Sequence, residues 1–380
     1  MRTFPAAILL VVLERFSKDA GILADLAHLQ EQPSYVGPET AMECVRRAIW
    51  GILYADDACI VSQSPRGLGR MMAIFVEVFG AFGLTISESK TETMCMPTPR
   101  APATKIVFNA TGQQYRQTSS FTYLGGTVTE MPHLSDEIDR RIRAGWIGFK
   151  RYKRELYDRP NASLLPLKAR MVRSEVVEAL LYGCMTWTPL KCHYAKLRTT
   201  HHRMLLRILG AWCKSPNKRI LSYKDALQRT QSESIETTVR TRRLLWAGAL
   251  LRMGDHRLPK RVMSGELENA GKRRPGGKEK EWTDCVADDL RLFGVTRDWG
   301  TAALDPGAWY NTVHEGGCRF MAAWVREEEI ASDQRQKKRE AEEADKVEVA
   351  PGVTVASLRR FRTALIGPTQ GLPKRRRLRC

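Results

Sequence analysis

Two adjacent aspartates, Asp56 and Asp57, sit in the middle of an otherwise apolar segment running from Ile49 to Ser62. Ile49, Ile52, Leu53 and Tyr54 precede the pair, and Ile60 and Val61 follow it. Two short apolar runs divided by polar turn residues predict a β-hairpin with the acids at its bend. The next residues restrict the fold further. Ser64-Pro65 has the form of a helix N-cap followed by proline at the first helical position. Leu68, Met72, Phe75, Phe79 and Phe82 then recur at helical spacing, which predicts a helix with one apolar face, and Gly83 is placed to end it.

Strand-like runs follow at 84–86, 91–96, 106–109 and 121–128, with a loop from 97 to 103. Upstream, residues 5–30 read as helical. The apolar run from Ala6 to Leu13 is short, and Glu14 and Arg15 follow it without a small-residue cleavage site. A buried helix is expected there rather than a signal peptide. No stretch has the length of a membrane-spanning helix, so no membrane partner is expected.

Beyond about residue 130 the chain changes character. Ser135 is placed to cap a long helix, with Asp136 and Glu137 in the first turn where negative charge suits the helix dipole. Ile138, Ile142, Trp146, Phe149 and Leu156 mark its buried side. Arg140, Arg141, Arg143, Lys150, Arg151, Lys153 and Arg154 fill much of the rest. Further helical patterns cover 163–182, 194–210, 232–253 and 281–293, and the mostly charged stretch 324–346 predicts a solvated helix. Residues 271–280 are glycine-rich, basic and free of apolar side chains, the composition of a linker. The expected class is α+β.

The charge is as uneven as the pattern. The chain of 380 residues carries 61 Lys+Arg against 42 Asp+Glu, a formal charge of +19. Residues 1–130 hold 11 basic and 12 acidic residues, and residues 131–380 hold 50 and 30. The whole positive excess therefore lies in the second portion. Such an excess points to a polyanion, most commonly nucleic acid, or to a solvated Lys/Arg-rich helical surface. Nine cysteines without a Cys-x-x-Cys pair argue against a disulfide framework and for a reducing compartment. Cys192-His193, His201-His202 and Cys213 fit no common zinc spacing and read better as helix residues.

The order of motifs carries more than any one of them. Tyr54-Ala55-Asp56-Asp57 on a hairpin is followed by an amphipathic helix and by Phe82-Gly83-Leu84-Thr85-Ile86 with Lys90-Thr91. Phe121-Thr122-Tyr123-Leu124-Gly125 comes next. This series resembles the palm of reverse transcriptases encoded by non-LTR (LINE-type) retrotransposons. Downstream, Leu180-Leu181-Tyr182-Gly183 with Trp187, Arg242-Arg243-Leu244-Leu245-Trp246 and Arg257-Leu258-Pro259-Lys260 resemble segments that follow the polymerase core in those elements. The likeness runs from about Pro5 to about residue 295.

The resemblance implies a partial palm at 1–130, made of a hairpin and a small antiparallel sheet with helices. A thumb-like helical region at 131–210 and a helical post-polymerase region at 211–295 would follow. Residues 296–380 would form a charged helix and a basic, partly disordered tail. It also implies RNA-directed DNA polymerase chemistry. Nucleotidyl transfer uses two divalent ions, one activating the attacking 3′-hydroxyl and one holding the triphosphate, and hard carboxylates suit Mg²⁺. By resemblance Asp56 would ligate Mg²⁺ directly and Asp57 would support it, with Tyr54 beside the primer end. Lys90 would lie near the triphosphate, or be simply an exposed lysine at a strand start. Phe121, Tyr123, Leu124 and Gly125 would form a hairpin that grips the primer, or a plain strand with core aromatics. Arg140, Arg143, Lys150 and Arg154 would meet phosphates of a duplex made of RNA template and DNA primer or target.

A complete enzyme of this kind has a further metal-binding aspartate on a strand before the hairpin, and a template-binding segment. Asp19 and Asp25 are the only aspartates before Asp56, and their surroundings read as helix rather than strand. The expectation is a chain inactive as a polymerase, since loss of one member of a cooperating metal site removes activity by several orders of magnitude. The alternatives are a non-enzymatic RNA- or DNA-binding remnant and an unfolded relic. After residue 295 neither a Cys/His knuckle nor a spaced carboxylate cluster marks an endonuclease. The basic cluster Lys374-Arg375-Arg376-Arg377 fits a nuclear import signal or a solvated terminus, so the expected location is the nucleus or a cytoplasmic ribonucleoprotein.

Overall fold

The computed structural model describes residues 51–54, 57–62, 64–96, 115–130, 133–211, 221–255, 257–260, 262, 281–295 and 298–347. The helix expected at 5–30, the strand at 106–109, the linker at 271–280 and the basic tail lie outside them. The chain is mostly helical with small two-stranded sheets, an α+β composition at the coarse level. No helix among the described residues is long and apolar enough to cross a membrane. The chain divides into two compact units. The first comprises 1–140, 186–188 and 246–287, and the second 141–185, 189–245 and 288–380.

In the first unit, β1 (Gly51–Tyr54) and β2 (Asp57–Ile60) pair antiparallel. Helix α1 (Pro65–Ala81) follows, and Ser64 caps it: its hydroxyl accepts the Gly67 amide at 2.9 Å, with Pro65 in the first turn. Met71, Phe75, Val78 and Phe79 form a buried cluster joined by Ile60 of β2 and by Ile74, Leu84 and Ile86. The apolar face is thus rotated slightly from the series read in the sequence, with Met71 and Val78 buried in place of Leu68 and Phe82. Phe82 is exposed because it is the cap residue where the helix stops. Gly83, at φ 70°, turns the chain there, and the Leu84 amide bonds back to the Phe79 carbonyl at 2.9 Å.

The strand expected at 84–86 does not form: Leu84 and Ile86 pack on α1 without joining a ladder. The one expected at 91–96 contracts to β3 (Glu92–Thr93), parallel to β4 (Arg116–Gln117). The run at 121–128 resolves into a hairpin of β5 (Ser120–Tyr123) and β6 (Gly126–Thr129). Its bend is Leu124-Gly125, at φ 46° and 76°, the doubly positive backbone of a type I′ turn. The alternating register leaves Phe121 and Tyr123 half-buried and Ser120 and Thr122 exposed.

Helix α2 (Leu134–Arg151) begins with Asp136 and Glu137 in its first turn and ends with Lys150 and Arg151 in its last, both favourable to the helix dipole. In the second unit it passes into a π-turn, Lys153–Tyr157, that brings the Tyr157 ring under Phe149 at 4.4 Å. The buried Lys168 ammonium closes this region by donating to the carbonyls of Tyr157 (3.1 Å) and Arg159 (2.6 Å). The segment expected as one helix at 163–182 is broken into α3 (Leu165–Met171), a π-turn at Val172–Val177 and the short α4 (Glu178–Leu180).

Helices α5 (Lys191–Ile208), α6 (Tyr223–Thr230), α7 (Ile235–Arg252), α8 (Trp282–Phe293), α9 (Trp299–Ala302) and α10 (Pro306–Val347) follow among the described residues. The charged helix expected at 324–346 belongs to α10, which starts much earlier. Trp309 and Val313 in its first turns are buried, and the Trp309 indole donates to the Leu244 carbonyl at 2.9 Å.

The second unit buries charge as well as hydrocarbon. Asp289 of α8 is wholly buried and bonds Arg243 of α7 at 2.6 Å and also Arg240. Burial pushes its carboxyl above the usual range while the two guanidinium groups pull it down. Loss of either guanidinium would leave a buried carboxyl short of compensation, a strongly destabilising change.

Candidate functional site

The acidic turn is built by the pairing of β1 with β2. Tyr54 stands opposite Asp57, leaving two residues between the strands. Those two, Ala55 and Asp56, lie outside the described residues, so the expected direct metal ligand is not among them. Asp57 is exposed at the start of β2. Beyond it, Cys59 is half-buried, and burial pushes its thiol above the ordinary value. Among the described residues no group of three His, Cys, Asp or Glu side chains gathers as a metal site. Asp57, the described member of the acidic pair, offers one hard oxygen donor of the kind that suits Mg²⁺.

The second hairpin is tied to this turn electrostatically. The Tyr123 phenol is pushed above its ordinary pKa, first by burial and then by the negative charges of Cys59 and Asp57. Tyr123 is therefore within electrostatic reach of the acidic turn. Lys90, in contrast, lies exposed in the turn before β3, with its amide bonded to the Ser87 carbonyl at 3.3 Å. Phe121 shares the half-buried face of Tyr123, while Leu124 is exposed at the bend.

The bend itself is anchored by α2. One Glu137 carboxylate oxygen accepts the Thr127 amide at 3.1 Å. Arg140, paired with Glu137 at 3.0 Å, donates to the Gly125 carbonyl. Arg140 thus spends donors on the hairpin rather than presenting its whole guanidinium outward. Glu137 reads in the sequence as a dipole-complementing acid of the first turn, and its second role depends on a contact ten residues upstream that no local pattern reveals.

In the second unit, α2 and the π-turn after it present Arg143, Lys150 and Arg154 to solvent. Arg143 and Lys150, seven residues apart on α2, share one stripe, and Arg154 follows them in the π-turn. None of the three forms an ion pair with another described residue, whereas Arg151 reaches Glu175 at 3.9 Å and Lys153 reaches Asp158 at 3.5 Å. Ile147 projects from the middle of this stripe with 65% of its surface exposed. An apolar residue four positions after Arg143 and three before Lys150 is a legible signal, masked by the expectation that apolar means buried. The histidines of α5 are occupied within the core: His201 Nδ1 lies 2.9 Å from the Tyr223 hydroxyl. The Tyr223 hydroxyl also accepts the Ile235 amide at 3.2 Å, and the tautomer of His201 sets the direction of the bond between the two side chains. Burial, with neighbouring His202 adding to it, lowers His201 to about 3.

An uncharacterized protein of Caenorhabditis elegans, described as transposon-derived, is 26% identical to this chain over 277 residues. The match covers 70% of the chain and 96% of the relative. No family model matches the chain, and no solved structure does. The likeness thus extends over 277 residues rather than a single motif.

Proposed function

We propose that this chain is a retrotransposon-derived reverse-transcriptase segment whose work is to grip a template–primer duplex. The transposon-related origin rests on the relative in Caenorhabditis elegans. The polymerase descent rests on the order of motifs, and the pairing of Tyr54 with Asp57 across a two-residue bend is the observation that carries it. In this reading Tyr54, Phe121, Tyr123, Leu124 and Gly125 face the primer end. Lys90 belongs near the triphosphate of an incoming nucleotide, and Mg²⁺ enters through Asp56 and Asp57 by resemblance. The thumb-like stripe of Arg143, Lys150 and Arg154 lies along a phosphate backbone. Arg140 supports the hairpin from behind as much as it meets phosphate.

Duplex binding measured against salt tests the grip. Each phosphate contact contributes close to one counterion to the slope of log K against log salt. Lys150→Ala and Arg154→Ala should each lower that slope by about one and weaken binding at every sequence alike. Salt-independent binding, or none, would refute the reading. The polymerase reading has its own test, primer extension on an RNA template with Mg²⁺. Extension by the wild-type chain that disappears in Asp56→Ala makes the acidic turn catalytic. Duplex binding without extension in either makes the chain a nucleic-acid-binding remnant.

A further inference from the structure

We propose that the cavity between α7 and α10 is a binding site for one ribonucleotide. The site is separate from the duplex grip and does not depend on it.

The two helices run antiparallel where they meet. The Thr237 hydroxyl donates to the Met321 sulfur at 3.8 Å, a Cβ built on Gly317 would lie 3.3 Å from the Thr241 Oγ1, and the Trp309 indole reaches the Leu244 carbonyl. Gly317 lines a cavity of about 470 Å³ between them, the size of a small-molecule site. Met321, Ala322 and Val325 supply its apolar wall.

Thr241 lines the inner end and is only 8% exposed. Its hydroxyl makes no hydrogen bond with a described residue, whereas that of Thr237, one turn earlier, is engaged by Ser234 at 2.8 Å. A buried hydroxyl without a partner is unfavourable, and a ligand that bonds it removes the penalty. The antiparallel arrangement brings Glu233, just before α7, and Arg326, just after Val325, to the other end. Both line the cavity and both are exposed, so this end is the mouth. Neither forms an ion pair with a described residue, and Glu233 accepts a long bond from the Thr238 hydroxyl at 3.5 Å.

A ribonucleotide answers each of these features. A carboxylate accepts from the ribose hydroxyls, and a guanidinium takes the phosphate. The flat base lies against apolar side chains, with one edge atom bonded to Thr241. A hydroxyl both donates and accepts, so Thr241 does not choose among bases. Selection falls on the sugar, through Glu233 and the 2′-hydroxyl. An aliphatic ligand would leave Thr241 and both charges unmet. A free nucleotide and the 3′ end of an RNA strand offer the same chemistry.

The test uses the full chain with AMP, 2′-deoxy-AMP, adenosine and a short RNA ending in adenosine. Affinity is measured by calorimetry. Occupancy is read at Cys318, which is exposed and lines the cavity, as the rate of iodoacetamide alkylation mapped to its peptide. AMP should slow that alkylation, and 2′-deoxy-AMP should bind about tenfold more weakly. Glu233→Gln should erase the difference. Arg326→Ala should weaken AMP by about tenfold and leave adenosine unchanged. Thr241→Val keeps the shape and should weaken AMP and adenosine alike. Protection by the RNA and not by AMP assigns the site to a strand end, and the reverse assigns it to a free nucleotide. Equal affinity for AMP and 2′-deoxy-AMP in the wild type would overturn the proposal. So would affinities unmoved by Thr241→Val and Glu233→Gln, or Cys318 unprotected by every probe. Duplex binding measured on the same preparations keeps the two readings apart: its absence refutes the grip and leaves this site standing.

Discussion

His201 is a residue whose charge depends on the fold. Held near 3 inside the fold against an ordinary 6.5, it is neutral when the protein is folded. Between those values the unfolded chain binds a proton that the folded chain refuses. Its contribution to stability is therefore complete above about pH 6.5 and is lost as pH falls, at up to about 1.4 kcal/mol per pH unit. Melting temperature measured from pH 7.5 to 5 should fall, and His201→Asn, which keeps an acceptor for the Tyr223 hydroxyl without a titrating ring, should flatten the curve. Leu124 makes the opposite kind of prediction. A leucine at φ 46° costs about 1–2 kcal/mol, and type I′ bends prefer Asn-Gly. Leu124→Asn should raise stability by about 1 kcal/mol while weakening duplex binding, because the proposed primer contact is lost. A variant that gains stability and binds as well as wild type would remove Leu124 from the grip. Both residues show the limit of sequence reading: His201 read correctly as a helix residue, but its neutrality depends on Tyr223 across a sequence gap of 22.

At the level of elements, the hairpin at the acidic turn, the capped helix α1 and most later helices are legible because local chemistry specifies them. Ser64-Pro65 and Gly83 punctuate α1 without help from the rest of the chain. The misreadings share another cause. Leu84 and Ile86 have strand-like chemistry yet find α1 as their partner instead of a ladder, and the break at 172–177 answers to packing that spacing does not encode. Helix α10 was legible only where it is charged; its first turns are fixed by burial of Trp309. Two glycines separate helix propensity from packing. A Cβ at Gly316 of α10 would lie 2.7 Å from the Phe293 Cβ and 3.0 Å from its carbonyl oxygen, while one at Gly69 of α1 would meet nothing within 4 Å. Gly316→Ala should cost about 1–3 kcal/mol by overpacking, and Gly69→Ala should add about 0.5–1 kcal/mol by propensity. Chemical denaturation measures both, and equal signs would contradict the packing described.

For the whole molecule, composition speaks to the class of partner more than to the architecture. The uneven distribution of charge was plain in the sequence, but the pairing that keeps Arg151 and Lys153 occupied while Arg143, Lys150 and Arg154 stay outward was not. Heparin, a polyanion without bases, should compete with duplex binding. Failure of heparin to compete would mean that phosphate charge is not what is recognised. The clasp at the second hairpin has a mechanical corollary. Glu137 holds the Thr127 amide and pairs with Arg140, which in turn holds the Gly125 carbonyl. One carboxylate therefore secures both attachments, and Glu137→Gln should loosen them together, read as faster hydrogen exchange at the Thr127 amide.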